Sequence, residues 1–218
     1  MTKTFLILTI VLVSMLMRLK PADIFLRTFN TLVHELSHAF VAVLFGQKVQ
    51  KIVLNRDFSG SCITNVTNKR AMFFISLAGY ILPAVIGLFL IYMTRQNITA
   101  TTFYVIMSLN IISLITIEGN SFGRLWTLCF TAVNFIFALV PVFQPFYKHI
   151  LYIYACMLLV ENFFSTITLL YITLITPKKA GDATLLKKAT KIPAIFWSLF
   201  FFCFSLFAIL FAVKYLSA

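Results

Sequence analysis

Two histidines stand four residues apart around a glutamate in Val33-His34-Glu35-Leu36-Ser37-His38. Four residues along an α-helix return a side chain to nearly the same azimuth, about 6 Å further along the axis. Both imidazoles can therefore reach one metal ion, and Glu35 lies beside them as a proton acceptor. This HExxH pattern suits hydrolysis by a metal-activated water, which needs neutral nitrogen donors, a general base and one open position. Zn2+ is the expected ion, because paired imidazoles with a carboxylate match catalytic zinc. Such a site wants a third protein ligand. The acidic residues left to supply it are Asp23, Asp57, Glu118, Glu161 and Asp182. The third histidine, His149, borders a loop beside Lys148 and reads as an interfacial side chain.

The element that presents the motif is no ordinary soluble helix. Of the 218 residues 61% are hydrophobic, 25 are Phe, and only 11% are charged, whereas soluble domains run at about 45–50% apolar and 25% charged. Apolar segments recur at about 4–19, 24–46, 71–94, 99–117, 123–143, 147–175 and 193–214. Each is near the ~20 residues that cross the hydrocarbon layer. Continuous runs lack the alternation of a barrel, so the spans are helices. The expected fold is an all-α polytopic membrane protein with about six to seven transmembrane helices, forming one membrane-embedded domain over residues 1–218. The HExxH motif falls in the second segment. Each ionisable side chain at mid-bilayer costs ~2.5–3.5 kcal/mol, so three within five residues argue for a metal or a water-filled cavity rather than helix packing.

The formal net charge of +12 reports orientation, because Lys and Arg gather in the breaks between apolar runs; no nucleic-acid partner is needed to explain it. Lys3, the two long basic loops (Lys48 to Arg70 and Lys178 to Lys191) and Arg124 outnumber Arg18, Lys20, Arg95, Lys148 and Lys214 on the other side. That bias puts the N-terminus and both basic loops in the cytoplasm. Arg27 is left over inside the second segment. The first segment resembles a signal peptide but lacks a small-x-small cleavage site, so it reads as an uncleaved span. Cys62, Cys129, Cys156 and Cys203 form no CxxC pair. In the first basic loop, Val49 to Leu54 and Ser61 to Thr67 are strand-like around the turn cluster Asn55 to Gly60, which predicts a small β-hairpin after the motif helix.

His34 to Gly46 with the hairpin, then Ala78-Gly79-Tyr80-Ile81-Leu82-Pro83-Ala84, then Gly181-Asp182-Ala183 with Pro193 and Trp197, together resemble the site-2 protease family in its small bacterial branch. The resemblance implies an intramembrane zinc metalloprotease. It also implies that Asp182 occupies the place of the Asp in that family's Leu-Asp-Gly element, making His34, His38 and Asp182 the zinc ligands and Glu35 the catalytic base. Glu161 is the other intramembrane carboxylate that could serve. The charge bias agrees with Asp182, since His38 lies ~12 Å below the cytoplasmic surface and Asp182 sits in a loop on that same side. The partners implied are the lipid bilayer, expected to be a bacterial plasma membrane, and a membrane-protein substrate. Rival classes are an inactive zinc-binding scaffold and a small ion or solute transporter; no internal repeat supports the transporter. Oligomeric state and substrate identity are not encoded in any motif.

Overall fold

The structure is a computed structural model that describes residues 3–116 and 120–215; Glu118 lies outside the described residues. In chain order it contains α1 (Lys3–Leu16), α2 (Ala22–Leu44), β1 (Lys48–Leu54), β2 (Gly60–Asn65), α3 (Lys69–Arg95), α4 (Thr99–Thr116) and α5 (Ser121–Leu139). A 3-10 turn (Pro141–Phe146) leads into α6 (Tyr147–Ile175), followed by α7 (Gly181–Thr190) and α8 (Ala194–Tyr215). Each of the seven apolar segments becomes a helix, and the strands pair as an antiparallel hairpin. Among the described residues, four helical stretches are long and apolar enough to cross a bilayer by themselves: α3, α5, Pro141–Ile175 and α8. The apolar helices α1 and α4 are shorter. Helix α2 has the length to cross, at 23 residues and about 35 Å, but carries Asp23, Arg27, His34, Glu35 and His38. The fold is that of an all-α membrane protein with one small hairpin.

The centre of the bundle is built from α3 and α6. Helix α3 packs on α2, α6, α7 and α8, and α6 is buried without interruption from Tyr154 to Asn162. In lipid, helices associate through close packing of small residues and interhelical hydrogen bonds rather than through the hydrophobic effect. The α6–α8 seam shows both devices. Thr166 and Ser205 hydroxyls lie 2.9 Å apart and those of Thr173 and Ser198 2.6 Å apart, with Ala208 and Ala212 fully buried. Asn68 and Asn120 cap α3 and α5 by accepting the Ala71 and Gly123 N–H groups. Asn120 also donates to the Leu54 carbonyl at 2.7 Å, which ties α5 to the hairpin.

The hairpin folds back along α2 instead of standing away from the bundle. Its register runs from Lys48 opposite Asn65 to Leu54 opposite Gly60, with one irregularity between Val49 and Lys51. The second strand ends at Asn65, short of the expected Thr67, because the Thr67 N–H donates to Gln47 Oε1 at 2.8 Å and closes the base of the hairpin. Near the tip, the Thr31 hydroxyl donates to the Phe58 carbonyl at 2.9 Å.

Helix α7 is the element that the apolar pattern does not announce. It lies in the second basic loop, where Ala183 and Leu186 are buried at a helical spacing while Lys187 and Lys188 stay exposed. Lys191 ends it in the left-handed conformation, and Pro193 prevents continuation. Burial of one side against α3 and α8 turns a lysine-rich loop into a docked helix.

Candidate metal centre

The helical spacing of the motif does what the arithmetic requires. His34 and His38 project from one face of α2, with their Nε2 atoms 3.1 Å apart. The Nδ1 of His38 lies 2.7 Å from the Ile75 carbonyl oxygen of α3. With Nδ1–H donating there, the Nε2 lone pair is free to face inward. His34 is walled by Tyr80, whose ring meets it edge-on with centroids 4.7 Å apart. Tyr80 in turn rests on Phe201 of α8.

Asp182, in the first turn of α7, approaches the same point. Its Oδ2 is 3.3 Å from the Nε2 of His34 and 3.3 Å from the Nε2 of His38. Burial alone would raise the Asp182 carboxyl, but His38 and His34 outweigh it and hold it below the usual carboxylate range. These three residues form a group whose donor atoms could hold a metal ion. A tetrahedral zinc with bonds of about 2.0–2.1 Å needs neighbouring ligand atoms about 3.3 Å apart, and the separations here are 3.1 to 3.3 Å. Two nitrogens and a carboxylate oxygen turned to one point are a donor set that a cation between them would suit. The donor set fits the ion.

Glu35 is buried beside the imidazoles. Gly60 at the start of β2 presses on it so closely that a Cβ there would fall 2.6 Å from Glu35 Oε1, and the Cys62 backbone N–H faces it. Cys62 therefore lies next to the centre. Its thiol is pushed up to about 12 by burial and by the charges of Glu35 and Asp182. A cleft of about 420 Å³ reaches His38 and Asp182 between β2 (Cys62, Ile63, Thr64) and α3 (Met72, Ile75, Ser76).

The other acidic candidates among the described residues lie elsewhere. Glu161 is buried in α6 and pairs with Arg27, 2.6 Å from Arg27 Nε to Glu161 Oε1, which accounts for the arginine left inside the second segment. Asp57 is an exposed turn residue whose carboxyl is held low by the Ser59 hydroxyl and N–H. Asp23 is buried at the start of α2 and accepts the Ile24 N–H. His149 lies near Phe146, at the start of α6 and away from the donor set. The sequence reading did not single out Gly60, Cys62 or the Ile75 carbonyl as parts of the site. Gly79, within the Ala78–Ala84 stretch, lets α3 come close to the two imidazoles of α2.

A family model described as Peptidase M50B-like matches residues 5–212. No curated protein and no solved structure matches the chain.

Proposed function

The chain belongs to the Peptidase M50B-like family, the site-2 protease family of membrane-embedded metallopeptidases, and on that footing we propose that it is a zinc-dependent endopeptidase cutting membrane-spanning substrates within the bilayer. The observation that carries this reading is the approach of His34, His38 and Asp182 to one point with Glu35 alongside. Zn2+, when bound, supplies a Lewis acid for the scissile carbonyl and raises the acidity of a water molecule.

The chain's own residues do the rest. His34 and His38 Nε2 and Asp182 Oδ2 would hold the ion, and the Ile75 carbonyl fixes the His38 ring with Nε2 turned toward the other two donors. The Glu35 carboxylate takes the proton released by the attacking water and passes it to the departing amine nitrogen. Backbone amides of a membrane helix are satisfied internally, so a substrate must unwind before it is cut. The cleft between β2 and α3 accepts an extended segment, and β2 can take it as an added strand, its backbone N–H and C=O groups replacing those lost on unwinding. Residues 1–218 act as one membrane-embedded domain in this proposal, with the N-terminus and the mouth of the cleft on the cytoplasmic side of a bacterial plasma membrane.

The test is Glu35→Gln in purified protein with a single-span substrate. Cleavage is expected to vanish while zinc remains bound at wild-type stoichiometry. Wild-type protein without zinc, or a Glu35→Gln variant that still cuts, would overturn the proposal.

A further inference from the structure

Arg27 and Glu161 stand outside the donor set, yet Glu161 is only 4% exposed and pairs tightly with Arg27. Its second oxygen lies 3.4 Å from Arg18, and the Arg18 guanidinium covers the Phe164 ring at 4.3 Å. A buried pair of this kind needs no role beyond satisfying its own charges. Arg27, however, engages a third group. Its Cζ sits 3.9 Å above the centroid of the Phe58 ring. A guanidinium is planar, so its edge can donate to a carboxylate while its face covers an aromatic ring.

Phe58 is the tip of the hairpin and has a φ of +66°, a region that bulky side chains seldom adopt. Within the turn its N–H donates to the Asn55 carbonyl at 3.2 Å, and two contacts reach it from α2: the Thr31 hydroxyl on its carbonyl and the Arg27 face on its ring. Two residues later, Gly60 lies against Glu35 and Thr31. The path from Glu161 to Arg27, to Phe58, to Gly60 ends on the proposed base.

We infer that Arg27 is a positioning residue: anchored on Glu161 of α6, it holds Phe58 and thereby seats the hairpin against Glu35. Its effect on turnover rests on the peptidase reading; its effect on where the hairpin sits does not. An ion pair that merely makes two charges tolerable in the bundle would leave the hairpin indifferent to the Phe58 ring.

The experiment uses the full chain in detergent with Phe58→Leu, Phe58→Trp, Arg27→Lys and the Phe58→Leu/Arg27→Lys double variant. Three quantities are read: N-ethylmaleimide labelling of Cys62, followed by mass spectrometry on its peptide; zinc content; and turnover of a single-span substrate. Phe58→Leu and Arg27→Lys are each expected to speed Cys62 labelling by roughly tenfold, the scale of a desolvated cation–π contact. The double variant should label no faster than either single one, and Phe58→Trp, which keeps an aromatic face, should label at the wild-type rate. Zinc content should not change, and kcat should fall in the order in which labelling rises. Wild-type labelling in Phe58→Leu overturns the inference, as do single effects that multiply in the double variant. Labelling that changes as expected in a protein whose wild type cuts nothing supports the hairpin seat and rejects the peptidase reading instead.

Discussion

Gly79 of α3 passes so close to His38 that a methyl carbon built on it would stand 2.5 Å from both Cε1 and Nε2 of the imidazole. The same carbon would be 2.6 Å from His34 Cε1. Helix α3 therefore forms the floor on which both proposed ligands lie, and only a residue without Cβ leaves them room.

Gly79→Ala is expected to weaken zinc binding at least tenfold, because overpacking of this kind costs ~1–3 kcal/mol and both rings would have to move. Competition with a chromogenic chelator measures it. Wild-type affinity in this variant would show that the rings can shift without loss.

Asp182 and Glu161 separate cleanly by metal content. Asp182→Ala should lose most of the bound zinc. Glu161→Ala should keep it and lose thermal stability, since Arg27 and Arg18 lose their shared carboxylate; breaking a fully buried pair costs about 3–5 kcal/mol, and Arg27, 25% exposed and still against Phe58, should lose less. Zinc content and melting temperature of the two purified variants give the answer, and zinc loss in Glu161→Ala alone would reverse the assignment.

The Cys62 thiol, pushed up to about 12 by burial and two nearby carboxylates, should react through a small thiolate fraction. Its alkylation rate is expected to climb about tenfold per pH unit from pH 8 to 11, where an ordinary thiol levels off above its pKa near 8.5. Zinc at the centre offsets the negative charges of Glu35 and Asp182, so loading the metal should lower that pKa and speed labelling at pH 8; chelation should slow it again. A rate indifferent to zinc would place the ion elsewhere.

Ile63 lies in the cleft on β2 and is 38% exposed. Ile63→Asp puts a charge where the proposed substrate strand would lie, and KM for a single-span substrate should rise by roughly tenfold, the scale of one lost apolar contact plus an unpaired carboxylate. Zinc content should be unchanged. Unaltered steady-state kinetics would move the substrate away from this edge.

Some of this architecture is legible in the amino-acid order, for identifiable reasons. Long apolar runs name helices, and the four-residue spacing of His34 and His38 names a shared face, because both are local periodicities. The hairpin is equally local: two β-rich runs flank a cluster of turn formers. Asp182 is different. Its proximity to α2 depends on α7, a helix that forms through burial of Ala183 and Leu186, and no spacing within a lysine-rich stretch announces that docking; the family resemblance pointed to it. Arg27 and Glu161 are 134 residues apart. A base and an acid both inside apolar segments must find partners, yet that rule does not say that they find each other or that Phe58 joins them. Gly79 is silent for the same reason, since a close approach is a property of two helices at once.

The residues that converge on one point come from α2, near the start of the chain, and from α7, which precedes only the last helix. A nascent polypeptide emerging in order would display the two imidazoles long before the carboxylate that joins them. The trio cannot assemble until α7 has been made and has docked. On the proposed peptidase reading, a chain still being inserted holds the two imidazoles without the carboxylate, and the cutting centre is complete only once α7 has docked.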